Sequence, residues 1–192
     1  MDLADPDAPL DEAAPAEVTP RMRQWARKSA ADYLSKHSSS VANLRKVMLR
    51  RAGRKHPDVG KAGAAQLAEE AVAFCRELGF VDDGAYAEAK VRSGVRKGHS
   101  RRRITVTLAQ KGIDREISAE ALGSTDDLAA AAAYARRKKI GPWRKAPLDA
   151  EAWKKEAAAF GRNGFSGETA REIMRMSAEE AEDAIFAAER NA

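Results

Sequence analysis

The chain has 192 residues, with 34 Lys and Arg against 29 Asp and Glu for a net charge of +5, and only 6% of it is aromatic. A single Cys75 excludes an intramolecular disulfide, and no apolar run approaches the roughly 20 residues that cross a bilayer. A disulfide scaffold and a membrane protein are therefore set aside, and a cytoplasmic protein built from several small helical cores is expected.

Charge is unevenly divided. Residues 1–20 contain Asp2, Asp5, Asp7, Asp11, Glu12 and Glu17 and no Lys or Arg. With −6 there and +5 on the whole chain, residues 21–192 carry +11. Four prolines and little to bury predict a disordered acidic tail over 1–19.

From Pro20 onward the helix punctuation is regular. Thr19 before Pro20 reads as an N-cap and opens a helix through Trp25 and Tyr33 towards His37. Ser40 starts a second helix, through Leu44 and Met48 to Gly53. Leu67, Ala71, Phe74, Cys75 and Leu78 then form one apolar stripe closed by Gly79. These three helices make a first unit, 20–79. Asp82 or Asp83 caps the next helix, Ser100 the one after, and Asp114 a third that Gly123 closes, giving a second unit, 80–123. The third unit, 124–176, runs from Thr125 to a Gly141-Pro142 stop, then Asp149 to Asn163, then Ser166 to Met176. Ser177 with Glu180 forms a capping box for a final helix, 177–192.

The second and third units superimpose at an offset of 52 residues: Leu108, Gly112, Ile113, Ile117 and Leu122 fall on Phe160, Gly164, Phe165, Thr169 and Met174. Such repetition stacks units that cannot bury their own apolar faces and places function along a surface. One segment argues otherwise. Ile104-Thr105-Val106-Thr107-Leu108 alternates like a short strand, yet Ile104 and Leu108 also satisfy i, i+4 spacing, and its counterpart Glu156–Phe160 is strongly helical, so a helix is expected.

The candidate binding residues are basic. The first unit offers Arg45, Arg50 and Arg51. The second carries Arg92, Arg96, Lys97, Arg101, Arg102, Arg103 and Lys111 in a stretch from Ala89 to Ile113 that contains no acid. The third repeats the theme with Arg136, Arg137, Lys138 and Lys139, followed by Arg144 and Lys145. Each cluster alone reads as a solvated helix face, but three at equivalent places would align into one positive track for a polyanion or an acidic groove. No catalytic, metal or cofactor site is expected. His37, His56 and His99 lack partners at metal-ligand spacing, Asp82-Asp83 sits where a helix cap belongs, and Gly161, Gly164 and Gly167 follow no strand. Cys75 lies on an apolar stripe, and Trp143 and Trp153 read first as core, with base stacking as the alternative.

Leu78-Gly79-Phe80-Val81-Asp82-Asp83, Tyr86-Ala87, Arg103-Ile104, Leu108 and Lys111-Gly112-Ile113 together resemble the central signature of the RecX family, and Gly164-Phe165-Ser166 resembles its third-repeat turn. The resemblance spans Trp25 to Met176. Arg51-Ala52-Gly53, Gly84 and Gly161 depart from the family pattern. It implies an all-α, elongated, curved body of three tandem three-helix repeats, to which the residues themselves add one extra C-terminal helix. It also implies a monomer that binds the RecA filament on single-stranded DNA and limits its extension, ATP hydrolysis and strand exchange. A stand-alone DNA- or RNA-binding protein needs the same basic surface and is the alternative; a charged structural scaffold is a second.

Overall fold

The computed structural model describes residues 16–123, 125 and 127–190. All regular structure among them is helical. The elements are α1 (Pro20–Leu34), α2 (Val41–Lys55), α3 (Gly60–Glu77), α4 (Asp83–Arg96), α5 (Arg101–Gln110), α6 (Arg115–Leu122), α7 (Asp127–Lys138), α8 (Ala150–Arg162), α9 (Gly167–Arg175) and α10 (Ala178–Arg190), with 3₁₀ turns at Pro57–Val59 and Gly141–Trp143. The helices form three tandem groups of three, with α10 added. None of the described helices is long and apolar enough to cross a membrane.

The punctuation explains the boundaries. The side chains of Thr19, Asp82, Ser100, Asp114, Asp149 and Ser166 each accept a backbone N–H from the first turn that follows, an arrangement that stabilises each helix by about 1 kcal/mol. Ser177 and Glu180 exchange their bonds reciprocally at 2.7 and 3.1 Å. α2 runs two residues past Gly53, to Lys55, and stops because His56 precedes Pro57 and leaves the helical region, at φ −132° and ψ 66°. Residues 1–15 of the expected tail lie outside the described residues. Of residues 16–19, Ala16, Glu17 and Thr19 are exposed, but the Ala16 N–H donates to the Asp58 carbonyl at 2.9 Å, and half-buried Val18 lies against Gly63.

The chain divides into two compact bodies, Met1–His37 with Leu44–Phe80, and Ser38–Asn43 with Val81–Ala192. In the first, α1 packs along α3 and buries Ala26 and Ala30, while α3 contributes Leu67, Ala71 and Cys75 to the core. α2 adds Leu44, Met48 and Ala52, one every turn. Burial raises the Cys75 thiol pKa and leaves it unreactive.

The second body has two adjoining cores. Tyr86, Val91, Ile104, Leu108, Ile113 and Leu122 form one; Tyr134, Phe160, Phe165, Ile173 and Ile185 anchor the other, and Val95 touches both. Tyr134, Phe160 and Phe165 meet pairwise at centroid distances of 5.5 to 5.9 Å. Trp143 and Trp153 pack against this second core. The strand-like segment is helical within α5. Ile104 and Leu108 are buried, and the Thr105 and Thr107 hydroxyls donate back to the Arg101 and Arg103 carbonyls at 2.9 Å, which satisfies these β-branched residues inside a helix.

A three-part joint occurs twice in this body. The Ser40 hydroxyl accepts the Asn43 N–H and donates to the Lys111 carbonyl at 2.6 Å; the Ser100 hydroxyl accepts the Arg103 N–H and donates to the Asn163 carbonyl at 2.7 Å. The residue after each serine gives its N–H to an aspartate on the following group's first helix, Val41 to Asp83 at 2.8 Å and Arg101 to Asp127 at 2.6 Å. A glycine then lets the backbones close. Gly112 and Gly164 have φ of +73° and +87°, and a Cβ on them would stand 2.5 Å from the Ala42 Cβ and the Ser100 Oγ respectively. Asp82 thus caps its own helix while Asp83 caps another, which accounts for the paired acids without a metal.

Candidate functional site

The turn between α4 and α5, the first turn of α5 and the last turn of α7 bring basic residues together. The Arg137 guanidinium donates to the Lys97 carbonyl and lies 5.7 Å from the centre of the Tyr134 ring. Arg103 donates to the Asn163 side-chain oxygen at 3.0 Å, and the Asn163 amide donates to the Tyr134 hydroxyl at 2.7 Å. His99 sits among them. Burial, then the charges of Arg103, Arg137 and Lys97, lower its pKa below the usual imidazole value. The ring is therefore neutral at pH 7, and the positive charge here belongs to Lys97, Arg103 and Arg137.

Lys138 and Lys139 continue this patch in sequence and are exposed; Lys139 closes α7 in the left-handed region, at φ 55°. Arg102 is exposed on α5, with its Cβ close to Gly164. Arg96 and Lys111 are also exposed. The side chains of Arg50, Arg96, Lys97, Arg102, Lys111, Lys138 and Lys139 make no ion pair among the described residues.

Other basic candidates are already engaged. Arg101 is half-buried and donates to the carbonyls of Leu122 (3.2 Å), Gly123 (2.9 Å) and Thr125 (2.7 Å), tying down the end of α6. Arg51 donates to the Ser29 carbonyl and hydroxyl at 2.9 and 3.0 Å and covers the Tyr33 ring. Arg45 pairs with Glu69 at 2.5 Å, Arg92 with Glu88 at 3.5 Å and Arg136 with Glu182 at 2.6 Å. These three pairs are substantially exposed and worth well under about 1 kcal/mol each, so a competing anion can displace them.

Arg144 is largely withdrawn from the surface, its side chain 16% exposed. It binds Glu156 through two hydrogen bonds, at 3.0 and 2.5 Å, and Glu156 also accepts the Gly141 N–H at 2.9 Å. Burial pushes the Glu156 pKa up, but the Arg144 hydrogen bonds, the Gly141 N–H and the Arg144 charge outweigh it and hold the group below its ordinary 4.5. The pair accordingly stabilises the fold fully above pH 4.5, and that contribution is lost as pH falls through the lower folded value. Glu156→Gln should lower stability by about 3 kcal/mol at neutral pH, because a buried guanidinium loses its counter-ion. It should also flatten the loss of stability between about pH 5 and 3, measured by urea unfolding at stepped pH.

Sequence spacing did not reveal Asn163, Tyr134 or His99 as parts of the cluster. Asn163 is 52 residues beyond Lys111, so the repeat offset already placed it at a joint. Among the described residues, no group of three or more His, Cys, Asp or Glu could hold a metal ion.

Fold and cluster together define an all-α protein of tandem three-helix groups that presents a cationic face. The family model described as "RecX, second three-helix domain" matches residues 82–122. A "Regulatory protein RecX" of Agrobacterium fabrum is 42% identical over 174 residues, covering 91% of this chain and 95% of the relative. That of Myxococcus xanthus is 32% identical over 167 residues, covering 83% and 88%, and that of Escherichia coli O7:K1 is 33% identical over 118 residues, covering 57% and 68%. No solved structure gives a significant match. The chain belongs to the RecX family, regulatory proteins for RecA.

Proposed function

We propose that this protein binds the RecA filament on single-stranded DNA through its basic surface and inhibits filament extension, ATP hydrolysis and strand exchange, so modulating recombination and DNA repair. The observation that carries the reading is the gathering of Lys97, Arg103 and Arg137 around a neutral histidine, beside the exposed Arg102, Lys138 and Lys139. Like charges held this close repel one another, and that repulsion is relieved when an acidic surface arrives. Arg50, Arg96 and Lys111 supply further contacts, and Arg45, Arg92 and Arg136 join them where an arriving anion displaces their exposed pairs, while Arg51 is held by Ser29 and Tyr33. Many weak contacts on one molecule reinforce each other through effective concentration, and no cofactor is invoked.

The test compares binding to preformed RecA filaments with binding to bare single strands at equal salt. The protein should prefer filaments and slow RecA ATP hydrolysis at sub-stoichiometric ratios. Equal or tighter binding to bare strands, with an effect that vanishes under excess single-stranded DNA, would establish the stand-alone nucleic-acid-binding reading instead.

A further inference from the structure

An open trough of about 1010 Å³ runs over α7 between α4 and α10. Its shape follows from sequence. α7 carries alanine at every position from 129 to 133, so Ala129 and Ala133 form a low floor, while Val91 and Val95 on α4 and Ile185 on α10 stand higher on either side. Ala187 and Ala188 keep the α10 wall smooth. The polar side chains of the lining are Glu88, Arg92 and Arg96, all on α4, and Thr125, not the set converging from several sides that a small-molecule site needs to orient its ligand. The mainly apolar lining and the opening to solvent match instead the groove that receives an amphipathic helix.

The lip selects the charge of the occupant. Arg92 and Arg96 stand one turn apart on α4 at the edge of the trough. Arg92 shares Glu88 only at 3.5 Å, with both side chains largely exposed, and Arg96 has no carboxylate partner among the described residues. An apolar helix with carboxylates one turn apart along its flank would bury its stripe on the alanine floor and meet both arginines. A helix flanked by lysine or arginine would be repelled, and a bare nucleic acid strand would leave the apolar floor uncovered.

We infer that this trough is a second contact surface for the filament, taking an acidic-flanked apolar helix of a RecA subunit while the cationic cluster meets other acidic groups. The inference rests on the RecA reading above. Ala129→Leu raises the floor and Ala187→Leu, at a partly exposed position, narrows the trough from its other wall. Each full-length variant should need at least ten times more protein to half-inhibit RecA ATP hydrolysis on single-stranded DNA. Affinity for a bare single-stranded oligonucleotide, which reports an intact fold and cluster, should stay within twofold. Unchanged inhibition by both variants overturns the trough as a docking site. Loss of inhibition with an equal loss of oligonucleotide affinity overturns it too, since the effect would then lie in the cluster. Failure of the unsubstituted protein to bind filaments removes the functional reading, and the trough's partner with it.

Discussion

Leu108→Ala is expected to destabilise the protein by about 2 to 5 kcal/mol, through lost burial and the cavity left behind. Leu108 is fully buried against Tyr86, Ile104 and Ile113, and its carbonyl accepts the Ile113 N–H at 3.1 Å across the Gly112 turn. Collapse around the gap would therefore strain the turn that forms the joint with residues 40–42. Thr105→Ala, three positions earlier and exposed, should be neutral or mildly stabilising, because alanine is the better helix former and the bond from Thr105 to the Arg101 carbonyl is only a local one. Urea unfolding of both variants checks the pair. If Thr105→Ala proved the more damaging, the side of α5 that faces the core would have been assigned wrongly.

The second large effect separates two arginines that stand next to each other. Replacing Arg102, Lys138 and Lys139 by Glu changes the exposed charge by six units. It should raise the protein needed for half-inhibition of RecA ATP hydrolysis roughly 10- to 100-fold, three exposed contacts being worth about 0.5 to 1 kcal/mol each. Thermal stability should hardly move. Arg101→Glu should do the reverse. Three carbonyls at the end of α6 lose their donor and a carboxylate is set against them, so the fold should weaken by about 2 to 3 kcal/mol. Inhibition that survives the triple reversal undiminished would take the basic face out of the mechanism.

Helix boundaries were legible because their causes are local. A side-chain oxygen at Asp82, Ser100, Asp114 or Ser166 acts on an N–H two or three residues away, and a left-handed glycine at 79, 112 or 164 acts on the turn it occupies. The helicity of residues 104–108 was legible through the i, i+4 spacing of Ile104 and Leu108 and through the repeat, against an alternation that the threonines make strand-like. The ion pairs were not legible. A basic stretch without acids looks unpaired, yet Arg45 finds Glu69, Arg136 finds Glu182 and Arg144 finds Glu156, each across a turn or between helices. Partner choice at such separations depends on how helices lie against one another, which no local spacing encodes. The cluster around His99 escaped for the same reason: its members come from α5, α7 and the α4–α5 turn, and Asn163, which orients Arg103, from the end cap of α8.

The serine joint also carries a rule for ending an array. Ser40 and Ser100 work because a hydroxyl is both acceptor and donor: it accepts an N–H from its own helix and donates its O–H to a carbonyl of the next group. At the start of α8 the corresponding residue is Asp149, whose carboxylate accepts the Ala152 N–H at 2.7 Å. A carboxylate acts as an acceptor and has no O–H to donate onward. It begins a helix as well as serine does, but it cannot seat another group by the same bond. A one-residue change from hydroxyl to carboxylate thus removes one of the joint's three parts, and Asp149→Ser would restore that part alone; the aspartate and the glycine of a further group would still have to be supplied.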